Sequence, residues 1–337
     1  KGDILFPRKE NIPLNRLIST LEAYFQGKKE LFEGLAMEKL EKDWIRYPVL
    51  HLDLNIEKYD TPESLDKILH DNLDAELHEF AEARGVSYDK LCDYLKAYYD
   101  GYHFTHHSIG MYNPFSLLNA FKYKEFGSYW FETGTPTYLV KLLKKHHYDL
   151  ERMAHEEMDS QVLNSIDSES TNPIPVIYQS GYLTIKGYDE EFGMYRLGFP
   201  NREVEEGFVR FLLPFYANVN KVESPFEIQK FVREVRFGDY DSFFRRLQSF
   251  FADTTYEVIR EQELHYENVL FIVFKLVGFY TQVEYHTSKG RIDLVLQTDK
   301  LIYVMEFKLD GTAEEALQQI HDKHYALPFA SDGRKLF

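Results

Sequence analysis

Two apolar runs carry the reading of this chain: Arg291-Ile292-Asp293-Leu294-Val295-Leu296-Gln297 and, after Thr298-Asp299-Lys300, Leu301-Ile302-Tyr303-Val304-Met305-Glu306-Phe307-Lys308. Both are almost wholly apolar, without polar alternation, so each predicts a strand buried on both faces. With Asp299-Lys300 as a two-residue turn, Thr298 pairs with Leu301. Counting outward sets Asp293 opposite Glu306 and Arg291 opposite Lys308. Side chains alternate along a strand and opposed residues share a face, so positions 291, 293, 306 and 308 fall together at one end of the hairpin. A longer turn shifts this register, but 306 and 308 share a face in any register.

Two carboxylates held in apolar strands cost free energy unless something compensates them. A divalent cation does so, and an oxygen-only donor set with one or two carboxylates suits Mg2+, or Mn2+ in its place. Asp293 and Glu306 are therefore the candidate metal ligands. Lys308 is the candidate to orient a water and offset charge developing on a phosphate. Glu267, on the preceding helix, is placed to reach the same ion or its water shell. Gln319, on the following helix, is placed to hydrogen-bond a water or a phosphate. The same residue types also make solvated hairpins with cross-strand ion pairs, which is their commoner fate. The apolar strands and the clustering of charge at one end speak for the metal site.

Outward from the hairpin, a helix is expected from Tyr256 to about Val277, and another starts at Thr312, which makes a capping box with Glu315. Further upstream, Leu17 to Phe25 reads as a helix and Val49 to Leu54 as a buried strand. Ser87 caps a helix running to about Tyr98. Asn113-Pro114 and Thr135-Pro136 read as N-cap and first-turn pairs, so 76–150 is mostly helical. Val176-Ile177-Tyr178, Tyr182 to Tyr188 and Met194 to Phe199 read as short β runs, the last two flanking a hairpin loop at Asp189 to Gly193. Asn201 then caps a helix with Glu203 in its first turn, where negative charge suits the helix dipole. Helices followed by a hairpin would suit a winged-helix-like module; a helical domain with an added hairpin fits as well. The boundaries expected are 1–75, 76–255 and 256–337.

Composition bounds the function. The net charge is −16, and residues 256–337 carry 9 Lys/Arg against 13 Asp/Glu, a net of −4. Binders of nucleic acid without a metal lean basic, because phosphates must be neutralised; bound cations can invert that local field. No apolar run approaches the about 18 residues of a membrane span. Cys92 is the one cysteine, so no intramolecular disulfide or cysteine-based zinc site is expected, and it reads as an inert helix residue. The pairs His106/His107, His146/His147 and His321/His324 read as surface histidines rather than zinc ligands. A cytoplasmic location is expected, with no membrane partner.

Gly290-Arg291-Ile292-Asp293, Glu306-Phe307-Lys308-Leu309-Asp310-Gly311 and Ala316-Leu317-Gln318-Gln319-Ile320, with Tyr325 and Pro328-Phe329-Ala330, together resemble the PD-(D/E)XK nuclease domain at the C-terminus of AAA-ATPase-like proteins. The resemblance implies metal ligands Asp293 and Glu306, a catalytic Lys308, and accessory Glu267, Gln319 and Tyr325. It implies a C-terminal restriction-endonuclease-like α/β domain, which, with the helical, winged-helix-like middle read from the pattern, makes the expected fold mixed α/β. It extends upstream over Tyr99-Asp100-Gly101-Tyr102-His103-Phe104, Tyr112 to Ser116, Trp130 to Pro136, Tyr178 to Thr184 and Leu197 to Asn201, which read from the residues alone as caps, turns and aromatic core.

Three departures stand out. Where the family has a phosphate-binding loop, Pro7 to Arg16 holds no glycine and no Lys-Ser or Lys-Thr. No Walker B Asp-Glu strand follows Asp53. The family continues into another strand where this chain reaches Phe337, so residues 256–337 read as a C-terminally incomplete domain. The expectation is a Mg2+-dependent nuclease acting on nucleic acid, DNA in the first instance, attached to a degenerate ATPase-like region with no nucleotide site. The alternative is a non-enzymatic regulatory or scaffold protein that uses the nuclease fold as a binding module. A protein partner or a homo-oligomer is left open.

Overall fold

The computed structural model describes residues 14–47, 49, 62–134, 136–163, 172–217, 219–251, 259–288, 291–307, 311–329 and 331–337. Within these, the side chains at 14–16, 62–65, 68–69, 154, 259–263, 282–288, 291–294, 307 and 328 are not described. Residues 1–13, most of the expected strand at Val49 to Leu54, Asp53, Thr135 and Lys308 lie outside the described residues. The chain divides into two compact units, one of residues 1–98 and 112–130, the other of 99–111 and 131–337.

The first unit is helical. Helices α1 (Leu14–Phe25), α2 (Ala36–Leu40), α3 (Pro62–Arg84), α4 (Tyr88–Tyr99) and α5 (Pro114–Tyr123) follow one another. Aromatic rings supply its packing. Tyr24 meets Phe32 and Trp44 edge-on, and its hydroxyl donates to Glu41 at 2.7 Å. Phe80 of α3 is fully buried and stacks on Phe126, ring centres 5.5 Å apart. Asn113 caps α5 as its sequence requires, its side-chain oxygen accepting from the amides of Phe115 and Ser116, with Pro114 following.

The second unit begins with the loop 99–111, then α6 (Thr137–Lys145), β1 (Glu157–Asp159), α7 (Ser160–Leu163), α8 (Ile174–Gln179), β2 (Thr184–Asp189) and β3 (Met194–Gly198). The three strands form an antiparallel sheet in the order β1-β3-β2. Buried Thr184 fastens the 99–111 loop to this sheet, its hydroxyl accepting from the His103 amide at 2.8 Å and donating to the His103 carbonyl at 3.1 Å. Two expectations fail here. Val176 to Tyr178 is helix, not strand. Pro175 sits in its first turn, where a missing N–H costs nothing, and Asn172 accepts from the Ile174 amide at 3.0 Å. Pro136 occupies the N-cap of α6 rather than its first helical position.

Four helices follow: α9 (Arg202–Tyr216), α10 (Ser224–Phe237), α11 (Tyr240–Phe251) and α12 (Ile259–Gly278). Asn201 caps α9 by accepting from the Val204 amide. From Val269 to Val277 every α12 residue except Lys275 is buried, so this helix is surrounded rather than one-sided. It packs against α9 and α10, and Lys275 escapes burial of its charge by reaching Glu205 on α9 at 2.8 Å. Arg246 of α11 bridges to Glu227 and Glu234 of α10, tying the last two helices before α12 together.

The chain then forms β4 (Gln282–Ser288), β5 (Arg291–Gln297), β6 (Leu301–Phe307), α13 (Ala313–Asp322) and β7 (Lys335–Leu336). The sheet order is β4-β5-β6-β7, antiparallel except for the last pair. The fold is thus mixed α/β, with its second sheet in the C-terminal region. No helix among the described residues is long and apolar enough to cross a membrane.

Candidate functional site

The β5–β6 hairpin has the register that its sequence implies. The Thr298 amide donates to the Leu301 carbonyl at 2.8 Å, and the Leu301 amide donates back to the Thr298 hydroxyl at 2.9 Å, closing the turn. Arg334 clamps the outside of that turn, donating to the Thr298 carbonyl at 2.9 Å and to Gln297 at 2.7 Å. The Asp332 carboxylate beside Arg334 is held down to about 2 by the guanidinium's hydrogen bond. From this anchored end the ladder runs Gln297 against Ile302 through to Asp293 against Glu306 and Ile292 against Phe307.

Glu306 is half-buried near the end of β6. Glu267 is half-buried on α12, and the two carboxylates line one cavity of about 970 Å3. The cavity lies among α11, α12, β6 and α13 and is mostly apolar and aromatic, with Phe244, Phe251, Tyr266 and Met305 in its wall. Helix α13 presents Ala313, Ala316, Leu317 and Ile320 to it, the spacing of one helical face. Its start is fixed by the expected capping box: the Thr312 hydroxyl accepts from the Glu315 amide at 3.2 Å, and the Glu315 carboxylate accepts from the Thr312 amide at 2.9 Å. Gln319, on the same helix, is half-buried, as is Tyr325 just beyond it.

The structure therefore places Asp293 and Glu306 in one cross-strand pair and brings Glu306 and Glu267 to one cavity. The side chain of Asp293 and all of Lys308 lie outside what is described. Among the described side chains no group of three His, Cys, Asp or Glu is arranged to hold a metal. The donor chemistry nonetheless fits a divalent cation. Carboxylates directly opposite on paired strands repel each other, and a cation between them removes that repulsion while accepting their oxygens.

The other histidine pairs serve elsewhere. His106 stacks on Tyr188 with ring centres 4.3 Å apart, and His321 and His324 are exposed. Cys92 is half-buried, and burial pushes its thiol pKa up, away from the reactive thiolate. Sequence reading missed strand β4, and with it His286, which pairs opposite Asp293. The signal was present: Val283, Tyr285 and Thr287 alternate with Glu284, His286 and Ser288, the period of a half-buried edge strand.

Residues 261–337 match the family model described as the PD-(D/E)XK nuclease superfamily. Residues 15–108 match the model described as "Predicted AAA-ATPase". A protein of Azotobacter chroococcum mcd 1, described as "Uncharacterized protein in vnfD 5'region", is 30% identical over 258 residues, 72% of this chain and 48% of that protein. The chain thus spans about half the length of that relative. No solved structure matches it.

Proposed function

From a chain that carries an AAA-ATPase-like region at 15–108 and a domain of the PD-(D/E)XK nuclease superfamily at 261–337, we propose a Mg2+- or Mn2+-dependent nuclease that hydrolyses phosphodiester bonds of DNA. The observation that carries the reading is the pairing of Asp293 with Glu306 inside the matched nuclease residues. Asp293 and Glu306 would hold the cation, whose chemistry there would be to polarise the scissile phosphate and acidify a water. Lys308, two residues beyond Glu306 in the sequence, would orient the attacking water and offset charge that develops on the phosphate oxygens. Glu267, which lines the same cavity as Glu306, would order water there, and Gln319 would hydrogen-bond a water or a phosphate oxygen. In this reading 256–337 is the nuclease module, 76–255 a helical region with a winged-helix-like hairpin whose first part, to 108, still falls in the ATPase-like match, and 1–75 an ATPase remnant.

The acidic balance of the chain fits a cation-dependent site better than a binder that works through Lys and Arg alone. The test is digestion of plasmid DNA by the full chain with Mg2+ or Mn2+, beside Asp293→Asn, Glu306→Gln and Lys308→Ala. Cleavage should vanish in chelator and in the two carboxylate variants. Lys308→Ala should still bind metal but cleave about 10²–10³ more slowly, the usual cost of losing one group that stabilises the transition state. Cleavage unchanged in chelator or in Lys308→Ala would remove the mechanism and favour a non-enzymatic binding module.

A further inference from the structure

Strand β4 adds to the row at Asp293 a residue that the hairpin does not contain. Its register on β5 sets His286 opposite Asp293, and the register of β5 on β6 sets Asp293 opposite Glu306. His286, Asp293 and Glu306 thus occupy one row across three adjacent strands, with Asp293 in the middle. The rows on either side are of different chemistry. One is Tyr285, Leu294 and Met305; the other is Thr287, Ile292 and Phe307. Directly paired residues on neighbouring strands share a face with Cβ atoms roughly 4.5–5.5 Å apart. A slip of one residue would move a whole strand to the opposite face. The ladder of β4 on β5 runs without a bulge from Gln282–Gln297 to Ser288–Arg291, so the position of His286 in the row follows from seven consecutive pairs.

We propose that His286 is a third protein ligand of the cation assigned to Asp293 and Glu306, and that it makes the site prefer Mn2+ to Mg2+. This rests on the metal-site reading above and deepens it. Two carboxylates alone form a hard, oxygen-only donor set, which suits Mg2+ with its retained waters. A neutral imidazole is a softer donor that transition metals accept readily and Mg2+ does not. A row of imidazole, carboxylate and carboxylate therefore discriminates between two ions of equal charge through ligand type. β4 lies at the margin of its sheet, so position 286 joins the row from the edge.

The experiment measures metal binding, not cleavage, on the full chain stripped of metal. Mn2+ affinity is read from the paramagnetic resonance signal of free Mn2+, and Mg2+ affinity by competition. His286→Gln and His286→Thr, the second favouring β structure, should each weaken Mn2+ binding about tenfold or more, a typical loss for a residue of a metal site, with Mg2+ affinity nearly unchanged. His286→Asp should restore tight binding but turn the preference to Mg2+. Circular dichroism melts check that each variant folds. Mn2+ affinity within about twofold of wild type in both His286→Gln and His286→Thr, while Glu306→Gln loses binding, overturns the role of His286 and leaves the carboxylate site standing. Binding of both metals that survives Glu306→Gln overturns the metal site itself, and this inference with it.

Discussion

At the scale of the residue, Gly101 shows why a sequence motif need not be catalytic. Its φ is +116°, and a Cβ there would lie 2.2 Å from the Pro200 carbonyl oxygen. Only glycine tolerates both conditions, so Gly101→Ala should cost more than about 2 kcal/mol in urea unfolding, with no direct effect at the Asp293–Glu306 pair. His265 on α12 is buried, its ring 6.4 Å from and nearly parallel to that of Tyr216, over whose ring the Lys144 ammonium sits at 5.7 Å. Burial first, and the Lys144 charge second, lower its pKa to about 4. The unfolded chain takes up this proton near pH 6.5, the folded protein near 4. The unfolded state therefore binds more protons between these values, and stability is full above pH 6.5 and falls as pH drops towards 4. The loss from this group should reach roughly 3 kcal/mol and level off below pH 4. In His265→Phe, melting temperature followed across that window should fall less steeply; an unchanged slope would contradict the assignment.

At the scale of the element, the hairpin and α13 are the parts that place the site, and both are fixed locally. Arg334 and Thr298 hold the β5–β6 turn, and with the turn fixed the register of Asp293 against Glu306 follows. The Thr312–Glu315 capping box satisfies amides at the start of α13 that would otherwise lack partners. Thr312→Ala should therefore cost about 1 kcal/mol and raise amide exchange in the first turn of α13 before anything else. Protection of those amides equal to wild type would show that packing, not capping, holds the helix. Helix α8 shows the opposite case. The short run Ile174 to Gln179 is apolar enough for either strand or helix, and its prolines and the Asn172 side chain, rather than its hydrophobicity, decide for helix.

At the scale of the whole molecule, charge and the ATPase-like region set what the chain can do. With a net charge of −16, the nuclease proposed above would draw its attraction to phosphates from bound cations more than from the balance of the chain as a whole. Pro7 to Arg16 offers neither glycines to wrap a phosphate nor a Lys-Ser or Lys-Thr to meet it. Calorimetry on the full chain should accordingly detect no submicromolar ATP binding, and a dissociation constant in that range would overturn this reading of the ATPase-like region.

What the sequence by itself determined is local: the β5–β6 register, the caps at Asn113, Asn201 and Thr312, and the long apolar α12, each set by residues within a few positions of one another. The mixed α/β class came from these pieces together with the resemblance carried by the motifs around Asp293 and Glu306. What only the tertiary structure decided is non-local. The cavity shared by Glu267 and Glu306 exists because α13 is laid against β6 while α11 and α12 supply further walls, and no spacing along the chain encodes that approach. The placement of β4, and so of His286 beside Asp293, depends on which edge of the hairpin a polar, alternating strand joins. Strand pairing is chosen by the packing of whole faces, and a short half-polar strand carries too little hydrophobic signal to announce its partner in advance.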